Sequence, residues 1–457
     1  MSIQSINPTT EEVLETFEPY SREKIEAALA SAHHAFLSWR AASFAERAKY
    51  LQNVARQLRE RKTALARIAV LEMGKSLTEA EAEVEKCAWN CDYFAEHAQQ
   101  FLENSNIATN ATQSYVAFRP LGVVLAIMPW NFPYWQVFRF AAPALMAGNT
   151  AILKHASNVS RSALEIERIF QEAGLPEGIF KTVLIPGSAT DRLIEDPRIA
   201  AVTLTGSEEA GTRVASTSGH VLKKTVLELG GSDAFIVLED ADLDQAAQIG
   251  VTARFQNNGQ SCIAAKRFIV VDAVAEAFEQ KFVEVASRLR VGDPLDYQTQ
   301  VGPVARDDLR DALDKQVQET VKMGGRVLLG GKPLEGKGYF YAPTIVTNVT
   351  SEMPMFREET FGPAAAVIHA RDAEHAIALA NDSQFGLSSN LWTSDIARAR
   401  ELAGRIEAGG VFINGMTASD PRLPFGGVKR SGYGRELSSF GIQEFVNVQT
   451  VWIGPKQ

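Results

Sequence analysis

From Leu121 onward the chain alternates short apolar runs, each closed by Gly, Pro or Asn, with amphipathic segments long enough to be helices. "LGVVLAIMPW", "TAILKHAS", "TVLIPG" and "IAAVTLTGS" are such runs, and "SRSALEIERIFQEAG" is one of the segments between them. This pattern predicts a parallel, doubly wound sheet, because parallel neighbours must be joined by a crossover, usually a helix. "KRFIVVDAV", "GGRVLLGG", "AAAVIHARDAEHAIALAND", "SSNLWTSDIARARELAGRI" and "GGVFING" repeat the texture and predict a second α/β domain. At 457 residues the chain exceeds the length at which one hydrophobic core keeps growing, so more than one domain is expected.

Between Ser21 and about Gln100, apolar residues recur three and four apart with charges between them, the pattern of an amphipathic helical layer. Inside it "MGKS" resembles the end of a phosphate-binding loop. The position five before Gly74 is Ala69 rather than glycine and no strand precedes it, so that reading is discarded. "NATQSYVAFRPLG" and the tail "QEFVNVQTVWIG" alternate like edge strands, which aggregate unless paired, and are expected to form an oligomer-forming sheet.

A net charge of -9 argues against a nucleic-acid partner, since phosphate-backbone binding needs a basic face. No apolar run approaches the roughly 18 residues of a membrane span, and the N-terminus lacks a basic-then-apolar leader. Three cysteines are too few for a disulfide framework and fit a reducing, cytoplasmic setting. Cys87 and Cys91, four apart in a helical stretch, read as core hydrophobes, and the seven histidines form no ligand cluster, so no metal is expected.

Cys262 sits differently, inside the polar stretch "FQNNGQSCIAAKR". A thiol that attacks carbon must be reachable, and Gly259 is expected to let the backbone approach a substrate, with Asn257 and Gln260 as turn residues. No base lies nearby in the sequence. Glu228, bracketed by apolar residues in "VLELGG", can supply one if partial burial raises its pKa. A cysteine and a glutamate without a catalytic histidine suit aldehyde oxidation: thiolate addition, hydride departure, then hydrolysis of a thioester. The plain alternatives are a buried structural thiol and a solvated strand-end charge. Asn131 in "PWNFP" and the Cys262 backbone N–H can donate to a developing oxyanion, although a loop closing the preceding strand explains "PWNFP" equally. "VTLTGSEEAG" places Gly206 and Gly211 at a strand-to-helix turn that does not match GxGxxG. Helix N-terminal N–H groups there can hold a pyrophosphate, with Glu208 and Glu209 in the first turn.

Together "PWNFP", "ILKHAS", "LTGS", "LELGG", "NNGQSC", "EETFGP" and "PFGGVKRSGYGRE" resemble, in order, the aldehyde dehydrogenase superfamily across nearly the whole chain. The resemblance implies an α/β fold with two doubly wound parallel-sheet domains and a small β oligomerisation element. It assigns residues 1–102 and 121–230 to a dinucleotide-binding domain, 231–430 to a catalytic domain carrying the nucleophile, and 103–120 and 440–457 to oligomerisation strands. Cys262 then becomes the nucleophile, Glu228, 34 positions earlier, the base, and Asn131 the oxyanion donor. The cofactor set becomes Trp130, Lys154, Ser157, Gly187, Thr205, Gly206, Ser207, Glu359 and Phe361, with Glu359 and Phe361 on the nicotinamide ribose and ring. NAD-preferring members carry a glutamate three residues after the lysine. Here Ser157 removes that charge and Lys154 can pair a 2′-phosphate, so NADP is the expected cofactor, with NAD possible. A helix N-cap is the other account of Ser157.

Arg139 falls where the subgroup oxidising succinate semialdehyde to succinate has a carboxylate-binding arginine, with Ser419 beside it and Trp135 and Phe425 as pocket walls. A structural salt bridge is the competing account of Arg139, and its rival implication is a neutral or aromatic aldehyde substrate. A non-catalytic paralogue is the reading outside enzymes. Two departures stand out: "FIVVDA" lacks the second arginine of some relatives, and Ser261 and Ile263 flank Cys262 where others have a second cysteine. The resemblance also implies a homodimer or homotetramer in which the tail pairs with a neighbouring subunit.

Overall fold

The computed structural model describes residues 2–454; Met1 and residues 455–457, which belong to the expected first domain and tail, lie outside the described residues. An opening hairpin of β1 (Ile3–Ile6) and β2 (Val13–Phe17) leads into four helices. These are α1 (Arg22–Trp39), α2 (Phe44–Glu60), α3 (Lys62–Met73) and α4 (Leu77–Phe101). Serines cap three of them: Ser21, Ser43 in a capping box with Glu46, and Ser76, each satisfying an otherwise unpaired N-terminal N–H. Gly74 ends α3 in the left-handed region. Cys87 and Cys91 are fully buried on the inner face of α4, where burial pushes both thiols up, as inert core residues require.

The first sheet uses β5 (Val123–Met128), β6 (Thr150–His155), β7 (Phe180–Thr182), β8 (Ile199–Thr205) and β9 (Lys224–Glu228), all parallel, with a short antiparallel β19 (Gly432–Tyr433) at one edge. Its strands are apolar on both faces because helices cover both. The order β19-β9-β8-β5-β6-β7 reverses direction at β5, so the loops after β5, β6 and β8 open onto one switch point where ligands of such sheets bind. Helices α5 (Trp135–Met146), α6 (Ser160–Glu172), α7 (Thr190–Glu195) and α8 (Glu208–His220) make the connections. Of "TVLIPG" only Thr182 lies in a strand; Pro186 has no N–H to extend the ladder with β6.

A second sheet has the order β12-β13-β14-β11-β10-β16-β17. Its strands are β10 (Asp233–Val237), β11 (Ala265–Val271), β12 (Arg326–Leu329), β13 (Thr344–Thr347), β14 (Ala364–Ala370), β16 (Ser388–Trp392) and β17 (Gly410–Ile413). All pair in parallel except β12, the "GGRVLLGG" run, an antiparallel edge. Helix α9 (Leu243–Phe255) follows β10 and delivers the nucleophile loop to the start of β11.

The third sheet corrects one expectation. β4 (Gln113–Pro120) and β20 (Val446–Ile453) pair with each other within this chain, through eight residue pairs from Val446↔Pro120 to Ile453↔Gln113, and β3 (Ser105–Asn106) takes β4's other edge. The tail therefore pairs with its own chain. Just before β20, the Phe445 ring packs edge-on against Phe140 and its carbonyl accepts from Asn149 Nδ2, contacts that tie the start of the strand to α5 and the loop after it. Among the described residues no helix is long and apolar enough to cross a membrane.

Candidate active site

Three consecutive residues, Asn257 (φ 55), Asn258 (φ 57) and Gly259 (φ 71), take left-handed backbone between α9 and Cys262. Asn and Gly are the residues that tolerate this conformation, which is why "NNG" stands here. Each is pinned. Asn257 Nδ2 donates to the carbonyls of Asn131 (3.0 Å) and Gln260 (2.9 Å). Asn258 Nδ2 donates to the Gly74 and Pro303 carbonyls, both at 2.8 Å, and its Oδ1 accepts from the Gly302 N–H. A side chain on Gly259 would collide with the Gly362 carbonyl, so the close approach it permits is to the "EETFGP" backbone rather than to a substrate.

Cys262 follows in a turn, half-buried. Buried Lys266 holds that turn by donating to the Ser261 (2.9 Å) and Cys262 (2.7 Å) carbonyls while pairing with Glu359 at 3.1 Å. Burial pushes the Cys262 thiol up to about 12 against the pull of Arg139 and Lys266, so at rest the thiol holds its proton.

Glu228 ends β9 at 2% exposure, and neither carboxylate oxygen has a hydrogen-bond partner. Burial, and then the neighbouring Glu436, push its pKa well up, while Arg139 pulls it down. Arg139, on α5 and fully buried, forms a charge pair with buried Glu436. Its Nη2 donates to Thr205 Oγ1 at 3.2 Å, and its guanidinium lies 4.6 Å from the Phe425 ring centroid. Thr205, expected on the cofactor, thus turns its hydroxyl to Arg139.

The "PWNFP" loop is fastened from three sides. Glu83 Oε1 accepts the N–H groups of Tyr134 (2.8 Å) and Trp135 (2.9 Å), capping α5, while its other oxygen pairs with Lys75, whose ammonium lies over Phe132. The lysine of "MGKS" thus anchors this loop. His155 Nδ1 accepts the Ala156 N–H, so Nε2 carries the proton and donates to the Pro133 carbonyl at 2.8 Å; burial lowers this histidine to about 4 and keeps it neutral. Asn131 Nδ2 donates to the Gln260 carbonyl at 3.1 Å, leaving one amide N–H beside the nucleophile turn.

Cys262, Trp135, Arg139, Ser419 and Phe425 line one cleft of about 840 Å³, counted to its open mouth, a size suited to a small ligand. Glu228 and Asn131 are not on its lining. Lys86 is on the lining, and sequence reasoning missed it. The signal was present: Glu79, Glu83, Lys86 and Asn90 are spaced 4, 3 and 4 apart, which sets four polar side chains on one inward face of α4.

Trp130 and Phe361 meet edge-on with ring centroids 5.7 Å apart. Glu359 Oε1 accepts the Gly231 N–H at 3.1 Å, and a side chain on Gly230 would collide with Glu359. Lys154, at the end of β6, has no carboxylate partner among the described residues. Ser157 is exposed and opens a 3-10 turn. Its hydroxyl does not cap α6, whose N-cap is Val159; instead the Ser160 hydroxyl donates to the Ser157 carbonyl. Gly187 faces open space, the Gly206 N–H donates to the Glu228 carbonyl, and Ser207 caps α8. An unpaired lysine, an exposed hydroxyl in place of an acid, and a glycine with room above it fit a dinucleotide bearing a 2′-phosphate.

A doubly wound sheet with its switch point beside a cysteine turn and a buried, unpartnered glutamate defines an oxidoreductase of the thiol-dependent aldehyde type. The aldehyde dehydrogenase family profile matches residues 1–451, and the chain belongs to that family. A succinate-semialdehyde dehydrogenase [NADP(+)] of Mycolicibacterium paratuberculosis is 53% identical over 458 residues, covering 99% of this chain and 97% of that one. The succinate semialdehyde dehydrogenase [NAD(P)+] Sad of Escherichia coli K12 is 50% identical over 448 residues, covering 98% and 97%. The crystal structure of succinic semialdehyde dehydrogenase from Streptococcus pyogenes, in complex with NADP+, superposes with a TM-score of 0.97 at 39% identity, covering 99% of this chain and all of that one.

Proposed function

We propose that this protein oxidises succinate semialdehyde to succinate with NADP as cofactor. The observation that carries the reading is that the Cys262 thiol opens into the same cleft as Arg139 and the Ser419 hydroxyl, so one small molecule can offer a carbonyl to sulfur and a carboxylate to the polar wall. NADP, when bound along Lys154, Ser157, Ser207, Glu359 and Phe361, supplies the hydride acceptor. Cys262 Sγ forms the bond to the aldehyde carbon as its proton leaves. The Asn131 amide and the Cys262 backbone N–H donate to the carbonyl oxygen. Glu228, its pKa raised by burial, takes a proton from the water that cleaves the thioester and releases the acid. The reading includes a cytoplasmic, even-numbered homo-oligomer, supported by three free thiols and an exposed edge strand at β20.

One observation favours a second substrate class. Arg139 is already matched by Glu436, and Phe132, Trp135, Ile263, Met416 and Phe425 make much of the cleft wall apolar, which suits a neutral or aromatic aldehyde. Initial rates with NADP and NAD, using succinate semialdehyde, butanal and benzaldehyde, separate the two. Succinate semialdehyde with NADP is expected to give the highest kcat/KM; a lead by benzaldehyde or butanal overturns the substrate assignment.

A further inference from the structure

We propose that Lys86 is the specificity-determining cation of this cleft: its ammonium, held between the Trp135 ring and the Ser419 hydroxyl, binds the carboxylate of a short aldehyde acid while Cys262 takes the carbonyl. The inference rests on the substrate reading above and names the group that enforces it.

Around the cleft, three other cations already have a carboxylate. Lys75 pairs with Glu83, Arg139 with Glu436 and Lys266 with Glu359. Lys86 has no carboxylate partner among the described residues; its Nζ donates to Ser419 Oγ at 2.7 Å and lies 4.4 Å from the Trp135 ring centroid. Aromatic face and hydroxyl together fix an ammonium in place without neutralising it. A largely desolvated charge left without a counterion is unfavourable, and an anionic ligand relieves it. Arg139 cannot serve as well, because a carboxylate reaching it competes with Glu436.

The surroundings tune the ammonium. Burial first, then Arg139 from α5, lower it to about 8, while Cys87 and Glu83 on its own helix and Asp420 on the Ser419 loop raise it. Glu79 also faces the cleft. The ammonium is therefore present near neutrality and lost as pH rises through about 8.

The experiment compares succinate semialdehyde with butanal, equal in carbon number, using wild type, Lys86→Met and Lys86→Arg with saturating NADP. Lys86→Met is expected to raise KM for succinate semialdehyde and to lower its kcat/KM relative to butanal by roughly 10- to 100-fold. Lys86→Arg should keep most of the preference. In wild type, KM for succinate semialdehyde should climb above about pH 8, a rise absent with butanal. If wild type prefers succinate semialdehyde and folded Lys86→Met keeps that preference, Lys86 is structural and only this inference falls. If wild type shows no preference, the substrate reading falls with it. Should Lys86→Met not fold, the wild-type pH profile decides, and a KM flat through about pH 9 overturns the proposal.

Discussion

At the scale of single residues, burial acts in the same direction on the two groups proposed to carry the chemistry. Burial pushes the Cys262 thiol up to about 12 and holds the Glu228 carboxyl well above the usual carboxylate range, with Glu436 adding to the rise. A thiol raised to about 12 should react with iodoacetamide at a rate that climbs roughly tenfold per pH unit between about 7 and 9, with no plateau. Cys87 and Cys91 are fully buried, so mass spectrometry of the labelled protein reads Cys262 alone. A plateau below about pH 8 would show a thiolate already formed at rest. The turn position of Cys262 and the burial of Glu228 were legible in sequence because the short motifs around them carry both. Lys86 was not, because a lysine on an amphipathic helix looks like a solvated charge until α5 and the Ser419 loop close over it. Gly259 was half legible: its left-handed backbone follows from its type, whereas its neighbour, Gly362, is set by a segment about 100 residues away.

At the scale of elements, the N-terminus of α5 shows how a discarded motif acquires a use. Lys75 and Glu83 are a buried pair, and Glu83 also accepts the two N–H groups that open α5. Replacing Glu83 by Ala leaves Lys75 uncompensated in the core and two helix donors unpaired. Stability should fall by about 3–5 kcal/mol, read as a shift of the urea unfolding midpoint. An unchanged midpoint would mean that water replaces the carboxylate at no cost. Strands β5, β6, β8, β11 and β14 were legible from apolar runs, since burial on both faces leaves a continuous hydrophobic signature, whereas β10 and β13 were not read and "TVLIPG" overran β7. The opening hairpin of β1 and β2 was not, because β2 is almost wholly exposed and carries no such signature.

For the whole molecule, the third sheet decides what happens between copies. β20 is an edge strand of eight residues whose Val448 and Trp452, four apart on one face, are 60% and 52% exposed. A flat apolar edge of this length is expected to be covered by another copy. Val448→Lys with Trp452→Lys keeps the β20–β4 ladder and places charge on the exposed face. The elution volume on size exclusion should move to a smaller species, and no movement would remove β20 from the interface. That residues near 115 and the tail form strands was legible from their alternation; that the two pair with each other within one chain was not, because such pairing depends on tertiary contacts like those of Phe445. The cage around Asn257, Asn258 and Gly259 has a further consequence. Its contacts come from Gly74, Asn131, Gly302, Pro303 and Gly362, spread along most of the chain. During synthesis on a ribosome, the cage around the cysteine turn therefore cannot be completed until residue 362 has been made, which makes the geometry of the turn a late product of the growing chain.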